Sequence, residues 1–494
     1  MKIAIGSYHL RLKLTLLIVL GPICVMAQEQ GQTSADITRL AHDLQQTRAE
    51  LAESRLQIEE LRRSIDELRK QLLVGRPSEN SSVVNSEPTT AAADRDPAFL
   101  AEKINEIHQD KVESASKYPV TLSGLVLFNS YWTGGVVDVQ DLPNLALPNF
   151  PGASSPSVGA TLRQTILGID VLGPKVLGAR TAASADVDFA GGSPTTDFGV
   201  VTGLLRLRTA KLSLDWANTN LSIGQDALFF SPLSPTSYAT VLEPAMSWSG
   251  NLWVWTPGIT AAHRLRIRDS SSVLLQGGIL DPLTEEKPVF QGRVSTAGEA
   301  ARVPAIAGRI AFEGLNESSD PLSIGFGGYR ANLQYQGFPT IASWTLNSDL
   351  KWGVGKHLQL SGEFYAGQAA GGLGGGIWSS VVFPEPTAPH TAIHPLRSIG
   401  GWGQVKLIPA RKFEINAAFG QDENYGQDLR AFPFSFTSAG FPAMQKNRTE
   451  LTNLIYKPTS ILLFAVEYRH LFTVPAQAGG QSADQVNVAA GVQF

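Results

Sequence analysis

The sequence predicts an all-β transmembrane barrel of 16 antiparallel strands, preceded by an α-helical coiled coil. Three observations carry that expectation. Charged residues make up only 17% of the 494 residues, against about 25% in an ordinary globular domain. Apart from the N-terminus, no apolar run approaches the roughly 20 residues of a membrane helix. From Tyr118 onward, ten- to fifteen-residue stretches alternate apolar and polar side chains, and short and long connections follow one another in turn. A barrel that is apolar outside and polar inside produces this pattern. The same composition excludes an inner-membrane helical transporter and argues against a disordered chain.

Residues 1–27 have the form of an export signal. Arg11 and Lys13 precede an apolar stretch from Leu14 to Ile23, and Val25-Met26-Ala27 supplies a small residue before Gln28. Cys24, the one cysteine, leaves with it, so 467 residues without thiol chemistry remain. Loss of Lys2, Arg11 and Lys13 takes the formal charge from −4 to −7, which speaks against nucleic acid as a partner.

Residues 35–74 are expected to form the coiled coil. Ile37, Leu44, Leu51, Ile58, Ile65 and Leu72 fall at position a of a heptad, and Leu40, Leu61 and Leu68 at d, with Thr47 and Ser54 weakening the middle. Arg48, Arg55, Arg62 and Arg69 fill successive e positions, where Asp43 and Glu50 at g of a neighbour can pair with the first two. Mixed Ile and Leu at a leaves a trimer open. Gly75, Arg76 and Pro77 end the helix, and 75–117 reads as a Pro/Ser/Asn tether with a short helix beginning after Asp96-Pro97.

The barrel is expected over 118–494. Short turns fall at Gly173-Pro174-Lys175, Ala217-Asn218-Thr219, Arg268-Asp269-Ser270, 313–320, Gly353-Val354-Gly355, Pro409-Ala410-Arg411 and Lys457-Pro458-Thr459. Long connections alternate with them at about 133–160, 190–201, 228–250, 281–301, 335–342, 369–397, 423–447 and 473–484. Seven turns and eight loops give sixteen strands, provided 251–268 is one strand running through Pro257. Sixteen strands enclose an aqueous channel. The last strand places Val486, Val488, Ala490, Val492 and Phe494 on one face and Asn487, Ala489, Gly491 and Gln493 on the other. Tyr131, Trp132, Trp253, Trp255, Trp344, Trp352, Tyr456, Tyr468 and Phe472 lie at strand ends, as interfacial aromatic girdles do.

The alternation assigns the lumen. With Trp253, Trp255, Ile259, Leu265 and Ile267 facing lipid, Arg264, Arg266 and Arg268 face inward. With Leu205 and Leu207 outside, Arg206 and Arg208 face inward. Arg330, Lys351, Lys406 and Arg469 are also placed inside, with acids at Asp186, Asp188, Asp226, Asp349, Glu363, Glu414 and Glu467. The five arginines are expected to share one wall, because their two strands are separated only by 219–227. Two readings stay open: a mixed polar lumen with local ion pairs, or an arginine ladder that favours small anions. The loop Leu228 to Gly250 carries one charge, Glu243, and either folds into the pore as a constriction or lies on the surface.

Nothing points to an enzyme. His390 and His394 sit in a Pro-rich loop rather than four apart on a helix, the glycine run 371–376 precedes no helix, and no serine has a triad arrangement. No metal or other cofactor is expected.

The order of signal, coiled coil, tether, sixteen strands and terminal Phe494 resembles trimeric bacterial porins with an N-terminal periplasmic coiled coil, among them the phosphate-selective and dicarboxylate-type porin families. Leu221-Ser222-Ile223-Gly224-Gln225-Asp226 followed by Phe230-Ser231-Pro232, and Glu467-Tyr468-Arg469, look like porin strands leading into loops. The resemblance implies a homotrimer in outer-membrane lipid, passive diffusion of small anionic or polar solutes, and a coiled coil in the periplasm. The phosphate-selective pattern has lysines at the pore mouth, and the loop 228–250 has none. A function of another class fits the same order of segments: an envelope tether, its barrel a plugged anchor and its coiled coil holding peptidoglycan.

Overall fold

The computed structural model describes residues 118–494 apart from 150, 154, 193–202, 287–292, 316–320, 384–392 and 431–435. The signal, coiled coil and tether expected over 1–117 lie outside the described residues.

Sixteen antiparallel strands close into a barrel. In chain order they are β1 (Val120–Gly134), β2 (Ser157–Thr161 and Ile166–Val176), β3 (Ala179–Asp188), β4 (Arg206–Asp215), β5 (Thr219–Ala227), β6 (Trp255–Arg268), β7 (Ser271–Leu280) and β8 (Ala305–Leu315). The second half comprises β9 (Pro321–Leu333), β10 (Ile341–Val354), β11 (Leu358–Gln368), β12 (Arg397–Ala410), β13 (Phe413–Asn424), β14 (Met444–Tyr456), β15 (Leu462–Pro475) and β16 (Gln481–Gln493). Each pairs with its sequence neighbour, and β1 pairs with β16 from Leu125↔Gln493 to Gly134↔Asp484. Phe494 continues that ladder: its N–H donates to Gly124 O at 3.0 Å, and its carbonyl accepts from Gly124 N at 2.8 Å. Closure leaves the barrel sheet without an open edge among the described residues.

β6 runs through Pro257, as the strand count requires. Pro257 carries no N–H, but its carbonyl accepts from Asp281 N at 2.8 Å at the top of the strand. The first turn differs from expectation. The chain passes Gly173-Pro174 inside β2 with a register shift between Leu172 and Lys175, and reverses at Leu177-Gly178. Both of those residues have positive φ, 51° and 78°, the conformation that joins two twisted strands most tightly.

The outer face is apolar. Val488, Phe326 and Ile310 are half or more exposed on it, while their inward neighbours Asn487 and Ala489 are buried. Phe413, Tyr456 and Phe464 stack along the short-turn end, with ring centres 4.7 and 6.5 Å apart. Three of the aromatics expected at the interface belong elsewhere. Tyr131 shares the inward face of β1 with Asn129 and Thr133. Trp253 precedes the strand and is buried, and the Trp255 ring lies under two lumen arginines. The alternation of β6 holds only beyond Trp255, so extending it back to 251 misplaced both tryptophans.

In lipid vesicles, Val488→Arg is expected to destabilise the barrel by about 2–4 kcal/mol in a refolding titration, the cost of a cation against lipid at mid-depth.

Candidate functional site: a loop that circles the lumen

The loop 228–254 does not leave the barrel. It folds inward and follows the wall, and at each step an inward side chain meets its backbone or its polar groups. Ser231 Oγ and Leu233 N donate to the two oxygens of Glu363 on β11, at 2.6 and 2.7 Å. Thr236 N donates to Gln404 Oε1 on β12 at 2.6 Å, and Thr236 O accepts from Asn453 Nδ2 on β14 at 2.8 Å. Asn129 on β1 donates to Tyr238 O at 2.8 Å. Gln164, fully buried where β2 is interrupted, donates to Ala239 O at 2.8 Å and accepts from Val241 N at 2.6 Å. Its amide thus stands in for a strand neighbour.

On β4 the contacts are charged. Arg206 Nη2 donates to Leu242 O at 2.7 Å, and Arg208 Nη1 to Val241 O at 2.9 Å. The loop then returns across the bore. Glu243 accepts from Asn144 of the loop 135–156, Ser249 meets Thr449 Oγ1 at 2.8 Å, and Trp253 N donates to Leu373 O at 3.0 Å. The wall is cut away to admit this return. A Cβ on Gly420 would lie 2.4 Å from Ser249 O, and one on Gly250, whose φ is +94°, 2.3 Å from Gly401 N. Of the two placements left open for this loop, the structure has the inward one.

A β-bulge turns both arginines of β4 inward. The register passes from Asp186↔Thr209 to Val187↔Leu207, so Arg208 is the extra residue and faces the lumen together with Arg206 and Thr209. Both guanidiniums bond the buried Asp188, at 2.7 and 3.3 Å, and lie 4.9 and 4.6 Å from the Trp255 ring. Asp186 accepts from Thr209 Oγ1 at 2.7 Å. Two arginines and two carboxylates, Asp188 and Asp186, therefore meet at this level, with both guanidiniums on Asp188 and Asp186 held by the Thr209 hydroxyl. Burial pushes Glu243 up to about 7, so it adds no full negative charge at neutral pH.

The five arginines do not form one ladder. Ala210 is level with Gln225 and Pro257, which puts Arg208 beside Trp255, whereas Arg264 donates its N–H to Asn218 in the turn after β4. Nine residues separate those levels, about 30 Å along the strand. Strands two apart run in the same direction, so the start of β4 and the end of β6 lie at opposite ends of the barrel. Arg264 pairs with Glu313 and Ser272 at the short-turn end. Arg266 and Arg268, exposed beside it, form no ion pair among the described residues.

Arg330 is a correction. It shares the outer face of β9 with Ile324 and Phe326 and sits across from Ile306 and Trp344. Tyr329 takes the inner face, where its ring stacks on Phe230 of the inward loop at 5.6 Å. The rule of polar inside and apolar outside reverses where the loop covers the wall with apolar side chains. Near the loop end of the strand, an outward arginine costs little.

Buried inward polar groups such as Gln164, Asn129, Gln404 and Asn453 were not singled out from the sequence. Their signal is amide side chains at alternating positions of strands that otherwise read as apolar, together with the polar break at Arg163-Gln164-Thr165 in β2.

A second junction ties the loops above. Glu285 accepts from Ser380 N and Oγ at 2.6 and 2.9 Å and from Ser438 Oγ, joining the loops 281–304, 369–396 and 425–443. His394 lies 3.3 Å from Asp428, and His390 lies outside the described residues.

The sequence matches no protein-family model and no curated protein sequence. Among solved structures, the outer membrane channel DcaP of Acinetobacter baumannii is similar at a TM-score of 0.59 and 16% identity, over 78% of this chain and 99% of that one. The anion-selective porin from Comamonas acidovorans aligns with a TM-score of 0.48 at 13% identity, over 76% of this chain and 100% of that one. The likeness is one of fold.

Gln164→Ala should strand Ala239 O and Val241 N, at about 1–3 kcal/mol, and hydrogen exchange over 236–243 should accelerate while the barrel strands stay protected. The Glu285 junction gives a pH dependence. Burial raises this carboxyl to about 7, so its neutral form is the one the fold favours. The stabilisation is full below the unfolded value near 4.5 and is lost as pH rises through about 7. Proteolysis of the loops should therefore be faster at pH 8 than at pH 5.5, and Glu285→Gln should flatten the difference.

Proposed function

We propose that this chain is an outer-membrane porin, a passive diffusion channel for small hydrophilic solutes whose bore is set by the loop 228–254. The observation that carries this reading is the course of that loop: an apolar-faced closed barrel holds a polar-walled lumen, and one loop circles it. We further propose that the protein is a homotrimer, with the heptads of 35–74 in the periplasm and the barrel in outer-membrane lipid. A heat-modifiable, detergent-resistant trimer supports that assembly, and a stable monomer with the heptads intact contradicts it.

The anion preference belongs to the loop level. Arg206 and Arg208 project two guanidiniums toward the loop from the inner wall, sharing Asp188 and with Asp186 beside them, in surroundings far less screened than bulk water. Arg266 and Arg268 add a positive region at the other mouth. Solutes therefore meet two arginine-bearing zones in series rather than one continuous row.

Single-channel recording in planar bilayers tests the channel. Open conductance steps support it. Silence supports the tether, a reading favoured by the fact that the loop is bonded around the whole wall. In a salt gradient, Arg208→Ser should shift the reversal potential toward cations. An unchanged potential in Arg208→Ser, with a shift in Arg266→Ser, would move selection to the short-turn mouth.

A further inference from the structure

On the long-loop side of the circling segment lies a cavity of about 900 Å³, within the size range of small-molecule sites. Five loops build it. Its walls include Leu145, Trp248, Trp378, Phe441, Met444 and Pro475. Trp248 stacks on Trp378 on one side and on Phe441 on the other, with ring centres 5.5 and 5.7 Å apart and planes within 27° and 16°. The aromatics come from three separate loops, and their assembly into one wall is a tertiary feature.

The backbone under this wall is strained. Trp248 has φ +61°, and Gly376, Ile377 and Trp378 are consecutively left-handed at φ 58°, 54° and 57°. A left-handed non-glycine residue costs on the order of 1 kcal/mol or more and persists only where its surroundings hold it. They do hold it here. Gly376 N donates to Tyr365 Oη at 2.8 Å, Asn424 Nδ2 donates to Gly376 O at 3.0 Å, and Asn447 Nδ2 donates to Trp248 O at 2.9 Å. Inward side chains of β11, β13 and β14 thus fix two tryptophans in conformations they would otherwise avoid, and both present to the same cavity. Strain of this kind collects at binding sites.

The lining chooses the ligand. Among the described residues no lysine or arginine lines the cavity, and the one ionisable side chain that does, Asp138, accepts from Asn144 N and Leu145 N at 2.9 and 3.0 Å. An anion finds no counter-charge, and flat aromatic faces offer stacking and apolar burial. We infer that this cavity is a binding site for uncharged aromatic ring compounds, distinct from the charged level at Arg206 and Arg208. Its role as the first station on a transport path rests on the channel reading; the binding itself does not.

Calorimetric titration of the purified full-length protein with 1-naphthamide, and with its isosteric anion 1-naphthoate, tests the site. Saturable binding of the amide is expected, with the anion at least about tenfold weaker. Phe441→Ala, in a loop outside the barrel strands, should weaken amide binding by about tenfold, and Trp248→Ala by at least as much. If Trp248→Ala fails to fold, Phe441→Ala carries the test. No saturable binding, equal affinity for the anion, or affinity unchanged in the folded variants would each overturn the site. Amide binding to a barrel that shows no conductance would leave the site standing and remove the channel.

Discussion

A backbone drawn into the lumen must find partners for its N–H and C=O groups away from bulk water, and the rest of the barrel interior is arranged around that requirement. Glu363, Gln404, Asn453, Asn129, Gln164, Arg206 and Arg208 come from strands spread around the wall, and each meets the loop 228–254. Several other features follow from this. β2 is interrupted so that Gln164 can turn inward. β4 bulges so that two arginines reach the loop. Gly420 and Gly250 bring backbone against backbone.

The same requirement explains what could be read in advance. Turn chemistry and side-chain alternation are local, so the strand count, the closing strand and the strand through Pro257 were legible. The inward path of the loop was not, because its determinants are single amides on distant strands. Arg330 and Tyr329 show how that matters: Phe230 of the loop draws the tyrosine inside, and the arginine takes the outer face. The arginine ladder failed for another reason. Lateral spacing between β4 and β6 is set by sheet geometry, but their axial offset follows from strand direction, and counting strands alone omits it. The bulge at Arg208 is invisible to alternation: without it, strict alternation from Arg206 and Arg208 would turn Thr209 and Lys211 to the outer face of Leu207.

The interior is consequently graded along its axis. Aromatic and apolar groups gather above the loop around Trp248 and Trp378. At the loop, Asp188 holds two arginines together under an indole. At the short-turn end, exposed Arg266 and Arg268 stand beside the paired Arg264 and Glu313. Each level offers a different chemistry to a passing solute. Local ion pairs such as Lys211–Asp226 and Arg309–Asp349 line the wall, while Arg266 and Arg268 form no ion pair among the described residues.

The central claim is that the loop 228–254 sets the bore. Its most direct test is the single-channel conductance of a variant in which residues 234–247 are replaced by a short Gly-Ser bridge, recorded beside the unaltered protein. The account predicts conductance several-fold higher and selectivity close to that of bulk solution. Conductance equal to that of the unaltered protein would contradict it, and would place the narrowest point at another level of the barrel.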